Sequence, residues 1–232
     1  MTEKHGHMHH SKSSRDILSA MEVLEAIGLQ IGDIFLDAGC GDGYISLEAS
    51  NLVGDQGKIY ALDVYPESIE SVKKEIKDKK LDNIEAILAD ISKNIPLDID
   101  SIDIVLMANV LHGFVADGEV EKVMSNIVEV LKPGGVFAVV EFRKLEGSKG
   151  PPFNIRISPE EVSIILKDYG FEITDKHGKI YLQTGEKKEV VKYKSYFMFP
   201  ALNRGSHPPQ FVYDEAYKQL LLKIKSTFIG NN

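Results

Sequence analysis

The stretch FLDAGCGDGYISLEA, residues 35–49, decides the fold of this chain. An apolar run reaches an acid, Asp37, and glycines then follow at every second position, Gly39, Gly41 and Gly43, before a helical pattern begins. Glycines at such a turn let a ligand approach the main chain, and the N-terminus of the helix presents free N–H groups. The stretch therefore predicts a ligand site where the first strand of an α/β sheet ends.

The chain from residue 34 to residue 142 alternates apolar runs with helical patterns. The predicted strands are IFLD (34–37), IYALD (59–63), IEAILAD (84–90), IDIVLMAN (102–109) and VFAVVEF (136–142). Helical spacing connects Ile45 with Val53, a second helix opens at Pro66, and a third runs from Val120 to the KPGG turn at 132–135. Strands that are apolar on both faces and alternate with helices predict a doubly wound, mostly parallel sheet with helices on both faces.

Both ends of this region carry further signals. Ser13 or Ser14 is predicted to cap a first helix that ends at Gly28. Ser158, followed by Pro and Glu, has the pattern of a capping box and predicts another helix. Two late runs, FEITD (171–175) and YKSYFMF (193–199), have no long helix between them. They predict an antiparallel pair at the edge of the sheet.

Composition limits the class of protein. The 232 residues are 43% hydrophobic, carry a net charge of −8 and contain one cysteine, Cys40. The acidic charge disfavours a nucleic-acid partner, and one cysteine excludes a disulfide framework. No apolar run has the length of about 18 to 20 residues that a membrane span needs. We expect a soluble, cytoplasmic protein whose Cys40 is a small turn residue.

Two details of the glycine turn distinguish between ligand classes. The dinucleotide pattern G-x-G-x-x-G would place its third glycine at position 44, which is Tyr44. The carboxylate of Asp37 would repel a diphosphate, whereas it would attract an ammonium or sulfonium group. Asp63 ends the second strand, where an acid can accept both ribose hydroxyls, and Asp90 ends the third, where an adenine amino group would follow. These three acids predict a cationic nucleoside ligand.

The motifs together resemble those of class I S-adenosylmethionine-dependent methyltransferases. LDAGCGDGYIS is similar to the first motif of that family, and ALDVYPESIE is similar to its second-strand acid and following helix. The runs ADISKNIPL, IDIVLMANVLHGF and EVLKPGGVFAVVEF resemble the later motifs in order and spacing. The resemblance covers roughly residues 30 to 175. It implies a Rossmann-like, seven-stranded sheet whose last strand is antiparallel.

The resemblance also implies roles for individual residues. S-adenosylmethionine, which leaves as S-adenosylhomocysteine, would be held at its amino-acid end by Asp37 and the glycines and at its ribose by Asp63. The residues expected near the adenine are Val64 and either Asp90 or Ile91, and those expected along the methionine part and the methyl group are Asn109 and Leu111.

Residues 14–200 would form the methyltransferase domain. A small-molecule acceptor is favoured because the residues after Asn109, VLHGF, depart from the pattern of related nucleic-acid and protein methyltransferases. Methyl transfer to RNA or protein, and a non-catalytic cofactor-binding protein of the same fold, remain as alternatives.

Candidate residues for the acceptor side lie at the same sheet edge. His112 is the candidate general base. The alternative interpretation is a polar lining residue or a core histidine whose nitrogen has a hydrogen-bond partner. Tyr44 and Glu141 are candidates for substrate contact, and Arg156 is interpreted as a surface arginine that could bind an acidic group.

The two ends of the chain give separate predictions. Residues 1–13 form a tail that holds four histidines, His5, His7, His9 and His10, and a divalent metal there is the alternative to a plain tail. No metal is expected in the methyltransferase domain itself. Residues 201–232 are predicted to be a helical extension that could cover the sheet edge, cap the pocket or form a homodimer.

Overall fold

The computed structural model describes residues 14–144, 146, 150–171, 180–181, 192–193 and 196–200. The strands are β1 Ile34–Ala38, β2 Lys58–Asp63, β3 Ile84–Leu88, β4 Ile102–Ala108, β5 Leu131–Val140, β6 Ile180–Tyr181, β7 Lys192–Tyr193 and β8 Tyr196–Pro200. The helices are α1 Ala20–Ile27, α2 Tyr44–Val53, α3 Pro66–Lys79, α4 Leu111–Asp117, α5 Val120–Val130 and α6 Pro159–Asp168. Short 3-10 turns lie at Ser14–Asp16, Gly54–Gln56 and Phe153–Ile155.

The main sheet has the order β3-β2-β1-β4-β5-β8. The first five of these strands are parallel, and β8 pairs antiparallel with β5 from Val136↔Pro200 to Val140↔Tyr196. The predicted doubly wound sheet and its antiparallel last strand are therefore confirmed. The count of seven is not confirmed, because the described residues give six strands in this sheet, and β6 and β7 form a separate two-residue ladder.

Helices cover both faces of the sheet, as predicted. Buried residues of α1 and α2 form one apolar cluster with the strands, and buried residues of α4, α5 and α6 form another on the opposite side. The third helix, α3, adds Ile69 and Val72 to a small cluster beside the glycine turn. The strands alternate their side chains between these faces, which explains why they are apolar at nearly every position.

Local sequence patterns predicted some of the helix ends correctly and others wrongly. Ser158 and Glu161 form the predicted capping box at α6. The first helix was predicted to start too early, because Ser19, and not Ser13 or Ser14, accepts the backbone N–H of Glu22 and caps α1. The short helix α4 was not predicted at all.

Some predictions concern parts of the chain outside the described residues. These are the tail 1–13 with its histidines, the extension 201–232, and FEITD beyond Phe171. Within the described residues, no group of three or more His, Cys, Asp or Glu side chains is placed to hold a metal ion. None of the described helices is long and apolar enough to cross a membrane.

Candidate functional site

Three acids meet at the carboxyl edge of the sheet. Asp37 lies in β1, where it aligns with Ala61 of β2, and Asp63 is the last residue of β2. Asp90 follows the end of β3 by two residues. The strand order reverses between β1 and β4, and open α/β sheets bind ligands at that point of the carboxyl edge. The fold therefore places the predicted acids where a ligand crevice is expected.

Asp37 is almost fully buried, with 2% of its surface exposed. The hydroxyl of Ser46 in α2 donates to its Oδ2 at 2.6 Å. Burial raises the pKa of Asp37 to about 7, against the hydrogen bonds from Ser46, and the nearby charges of Asp63 and Asp42 raise it further. A cation beside Asp37 would favour its ionised form, so this site is suited to a positively charged ligand.

Asp63 joins the glycine turn to the end of β2. Its Oδ2 accepts the backbone N–H of Gly41 at 2.8 Å, and its Oδ1 accepts that of Tyr65 at 2.9 Å. Each carboxylate oxygen has a second lone pair, so both can accept a further hydrogen bond from a ligand hydroxyl. Asp63 thus fixes the turn and still has acceptor capacity.

The three glycines of the turn differ in what surrounds them. All three have positive φ, at 92° for Gly39, 54° for Gly41 and 78° for Gly43. A Cβ at Gly39 would lie 2.6 Å from Val110, and one at Gly43 would lie 2.7 Å from Val72. At Gly41 a Cβ would meet nothing within 4 Å. Gly39 and Gly43 are thus required by close packing, whereas Gly41 faces open space that a ligand can enter.

The glycine turn has few backbone donors left for an anion. Five of the six N–H groups from Gly39 to Tyr44 donate to acceptors of the protein. They are those of Gly39 and Cys40 to the Leu62 carbonyl, of Gly41 to Asp63, of Gly43 to the Cys40 carbonyl and of Tyr44 to Asp42. A dinucleotide site needs such groups for its diphosphate. The turn is therefore suited to a ligand held by acidic side chains.

The residues expected near the adenine are placed in different environments. Val64 is 51% exposed at the sheet edge, whereas Ile91 is buried in the apolar cluster that includes α5. Asp90 accepts hydrogen bonds from the backbone and hydroxyl of Ser92 and from Lys93. Burial alone would raise the pKa of Asp90, but these bonds together lower it. Asp90 is therefore an ionised acceptor that already has local partners.

The end of β4 turns sharply at Asn109. This residue has a φ of 61°, and its N–H donates to the carbonyl of Val140 at 2.7 Å. Leu111, two residues later, is fully buried in the core. The structure thus brings the backbone at Asn109 to the crevice edge, while the side chain of Leu111 belongs to the core.

His112 and Glu141 form a buried pair that joins α4 to the end of β5. Nδ1 of His112 lies 2.7 Å from Oε2 of Glu141, and the backbone N–H of His112 donates to Oε1 at 3.0 Å. The exposed fractions are 2% and 7%. The carboxylate of Glu141 therefore holds both the ring and the backbone of His112 in place. The sequence suggested both residues, but not that they are partners.

The residues before α1 pack on the glycine turn. The guanidinium of Arg15 lies 4.8 Å from the centre of the Tyr44 ring, and its Nε lies 3.5 Å from Oδ2 of Asp42. The hydroxyl of Tyr44 accepts the backbone N–H of Ala20. Tyr44, which was predicted as a substrate contact, anchors the N-terminal segment through these contacts.

Two other predictions have clear outcomes. Arg156 is not a surface residue, because it is 3% exposed and donates to the carbonyls of Pro151 and Arg143. Burial, and after it the charges of Asp37 and Asp63, raise the pKa of the Cys40 thiol. A thiol with a raised pKa is a poor nucleophile, which agrees with the interpretation of Cys40 as a small turn residue.

Three residues of the site, Ser46, Arg15 and Asp42, were not predicted from the sequence. Ser46 is a fully buried polar residue between Ile45 and Leu47 of α2, and a serine within an apolar helical run is the signal that could have identified it. Arg15 and Asp42 lie 27 residues apart, and no local pattern connects them.

Comparison with known proteins gives a consistent result. The family model described as "Methyltransferase domain" matches residues 30–181. A solved S-adenosylmethionine-dependent methyltransferase from Aquifex aeolicus is 28% identical, with a TM-score of 0.66, covering 82% of this chain and 93% of its own. The ubiquinone/menaquinone biosynthesis C-methyltransferase UbiE of Shewanella sediminis is 25% identical over 169 residues, which is 72% of this chain.

The chain spans less than two thirds of the length of the curated relatives that it matches. The chain covers 61% of the Shewanella sediminis protein. A probable cobalt-precorrin-6B C(15)-methyltransferase (decarboxylating) of Sulfolobus acidocaldarius is 41% identical over 56 residues, which are 24% of this chain and 29% of that relative.

Proposed function

The chain belongs to the class I S-adenosylmethionine-dependent methyltransferase family, and from that premise we propose that it moves a methyl group from S-adenosylmethionine to a small-molecule acceptor. The observation that carries this proposal is the glycine turn, in which the backbone donors are used internally while Asp37 and Asp63 line the crevice edge. Such a turn suits a cationic nucleoside and not a diphosphate.

The residues of the crevice fit the parts of this cofactor. Gly41 leaves space beside the main chain, and the buried carboxyl of Asp37 suits the positive charge of the amino-acid end. Asp63 has acceptor capacity for the ribose hydroxyls, and the exposed side chain of Val64 offers an apolar surface for the adenine. Asp90 or the backbone at Ile91 would meet the edge of the adenine.

The chemistry requires little beyond alignment. When bound, S-adenosylmethionine supplies a methyl group already activated by its sulfonium. The protein holds the acceptor in line, excludes water and takes up a proton where the acceptor carries one. We propose His112 for the last role, because Glu141 fixes its ring through Nδ1 and its backbone through the N–H at the carboxyl edge of the sheet.

A small-molecule acceptor is supported by two observations. The net charge of −8 disfavours a broad nucleic-acid surface. The relatives with curated names include methyltransferases of ubiquinone/menaquinone biosynthesis and of a cobalt-precorrin. Incubation with S-adenosylmethionine and a panel of phenols, quinols, amino acids, RNA and protein tests this class. The measured quantity is released S-adenosylhomocysteine, and release with RNA or protein alone would contradict the proposed acceptor.

Calorimetry distinguishes the proposed cofactor from a dinucleotide. We expect the protein to bind S-adenosylmethionine and S-adenosylhomocysteine and to give no binding heat with NAD, because the backbone donors of the turn are occupied. Binding of NAD with no response to S-adenosylmethionine would refute the proposal.

The Asp63→Asn variant tests the ribose contact. The amide loses the charge and keeps only one of the two oxygens that accept from Gly41 and Tyr65, so S-adenosylmethionine affinity should fall by about 1–3 kcal/mol or more. Asp78→Asn, on an exposed position of α3, removes the same charge away from the site and should bind as the wild type does. Calorimetry measures both variants, and equal affinities would remove Asp63 from the site.

A further inference from the structure

We infer that Ser46 is a positioning residue for S-adenosylmethionine, because it holds the side chain of Asp37 in its ionised form; the inference rests on the proposed function. A cationic ligand is attracted by the carboxylate of Asp37 and not by the neutral acid. Binding is therefore strongest when Asp37 is charged before the ligand arrives. Burial opposes that charge, so a neighbouring group has to favour it.

The contact between Ser46 and Asp37 is short and closed to solvent. The hydroxyl of Ser46 donates to Oδ2 of Asp37 at 2.6 Å, a length typical of a hydrogen bond to a charged oxygen. Ser46 is fully buried and Asp37 is almost fully buried, so water does not compete for either group. Hydrogen bonds to charged groups contribute more than those between neutral groups. Loss of this hydroxyl would therefore destabilise mainly the ionised form of Asp37.

Helix α2 gives Ser46 a second contact that favours the charge. Ser46 is the third residue of α2, and N–H groups in the first turn of a helix have no partner within the helix. A backbone hydrogen bond from Ser46 favours the ionised form of Asp37, as the hydroxyl does, and both lower the pKa of Asp37 against the effect of burial. The first turn of α2 is thus aimed at the carboxylate on β1.

The other titratable groups that face Asp37 oppose its charge. Burial is the largest opposing effect, and the negative charges of Asp63 in β2 and Asp42 in the glycine turn add to it. The thiol of Cys40 also lies near and stays neutral, because burial and then the charges of Asp37 and Asp63 raise its pKa. Within the part of the chain that the structure describes, Ser46 is thus the neighbour that favours an ionised Asp37.

The dependence of affinity on pH tests the inference. Ser46→Ala removes the hydroxyl donor, so Asp37 should ionise at a higher pH than in the wild type. At pH 6, calorimetry should show that the variant binds S-adenosylmethionine about 10- to 100-fold more weakly than the wild type. At pH 9 Asp37 is largely ionised in both proteins, and the difference should shrink to less than about threefold. The titration of the ligand cancels, because both proteins are compared at the same pH.

Ser50→Ala is the matched control. It removes a hydroxyl one turn later in the same helix, where Ser50 is also buried but donates to the carbonyl of Leu47 at 2.8 Å. It should bind S-adenosylmethionine as the wild type does at both pH values. Ser46→Thr keeps the hydroxyl, so its affinity relative to the wild type should be the same at pH 6 and pH 9.

Ser46→Cys keeps the test available if Ser46→Ala does not fold. A thiol fills the place of the hydroxyl but is a weak donor. The Ser46→Cys variant should therefore also bind more weakly than the wild type at pH 6 and approach it at pH 9.

The results separate this inference from the proposed function. If Ser46→Ala weakens binding by the same factor at pH 6 and pH 9, Ser46 only supports the fold of the turn, and the inference is wrong. A variant that binds as tightly as the wild type at both pH values also overturns the role of Ser46 alone. Wild-type protein that binds no S-adenosylmethionine at either pH overturns the proposed function as well.

Discussion

The His112→Gln variant is expected to slow methyl transfer about 100- to 10,000-fold, the range that a positioned general base contributes. The imidazole of His112 is the proposed base, and a glutamine amide cannot accept a proton at neutral pH. The same amide can still donate to Glu141, so the buried carboxylate keeps a side-chain partner. Loss of turnover should therefore occur without loss of the fold.

The measurement is release of S-adenosylhomocysteine with an acceptor from the panel, across pH. At each pH, His112→Gln should release S-adenosylhomocysteine about 100- to 10,000-fold more slowly than the wild type. Binding of S-adenosylmethionine and the thermal midpoint serve as controls and should stay close to wild type. If turnover falls only as far as folded protein is lost, His112 and Glu141 are a structural pair.

Glu141 is expected to act through His112 and not on the acceptor. The Glu141→Gln amide would keep a hydrogen bond to His112 but remove the charge that stabilises a protonated imidazole. Its turnover should thus lie between the wild type and His112→Gln, which is the pattern expected for a positioning residue.

The Asp37→Asn variant is expected to be more stable than the wild type at pH 8 while binding S-adenosylmethionine more weakly. The pKa of Asp37 is raised from 3.8 to about 7 in the folded protein. The folded state therefore holds a proton that the unfolded state releases. The stabilisation from the neutral Asp37 carboxyl is complete below pH 3.8, and it is lost as the pH rises to about 7. A shift of this size corresponds to about 4 kcal/mol at most. Asparagine does not ionise, so the variant avoids the loss.

Denaturant unfolding at two pH values measures this effect. The free energy of unfolding of Asp37→Asn should exceed that of the wild type by about 2–4 kcal/mol at pH 8 and by much less at pH 4.5. Asp78→Asn, the exposed control, should match the wild type at both. If Asp37→Asn and the wild type have equal free energies of unfolding at pH 8, then Asp37 does not bury a charge.

Ligand binding should show the reverse dependence on pH. A cation bound beside Asp37 lowers the pKa of this carboxyl, so binding releases a proton when Asp37 starts protonated. Wild-type affinity for S-adenosylmethionine should increase between pH 6 and pH 8, and Asp37→Asn should lack that increase. Calorimetry in buffers of different ionisation enthalpy measures the proton directly.

The sheet and the acids at its carboxyl edge could be predicted from local sequence patterns. Apolar runs ended by Asp37, Asp63 and Asp90 defined three neighbouring strands, and parallel strands must bring their carboxyl ends to one edge. The helix α4 was missed because it is only seven residues long and contains Gly113, a weak helix former.

Tertiary partners could not be predicted in the same way. His112 and Glu141 are separated by 29 residues, and Arg15 and Asp42 by 27, so only the folded chain shows that they meet. Arg156 was misjudged for the same reason, since its partners are carbonyls brought near it by the loop after β5. The roles of the crevice residues in ligand binding stay predictions for the experiments above.

The internal hydrogen bonding of the glycine turn has a consequence for protein engineering. Neutralising its acids would not be enough to convert this crevice to a nicotinamide site, because Gly39 and Cys40 would still donate to Leu62 and no glycine stands at position 44. The main chain itself would have to be rerouted. Selectivity between nucleosides is thus built into the path of the backbone and would resist change by side-chain substitution alone.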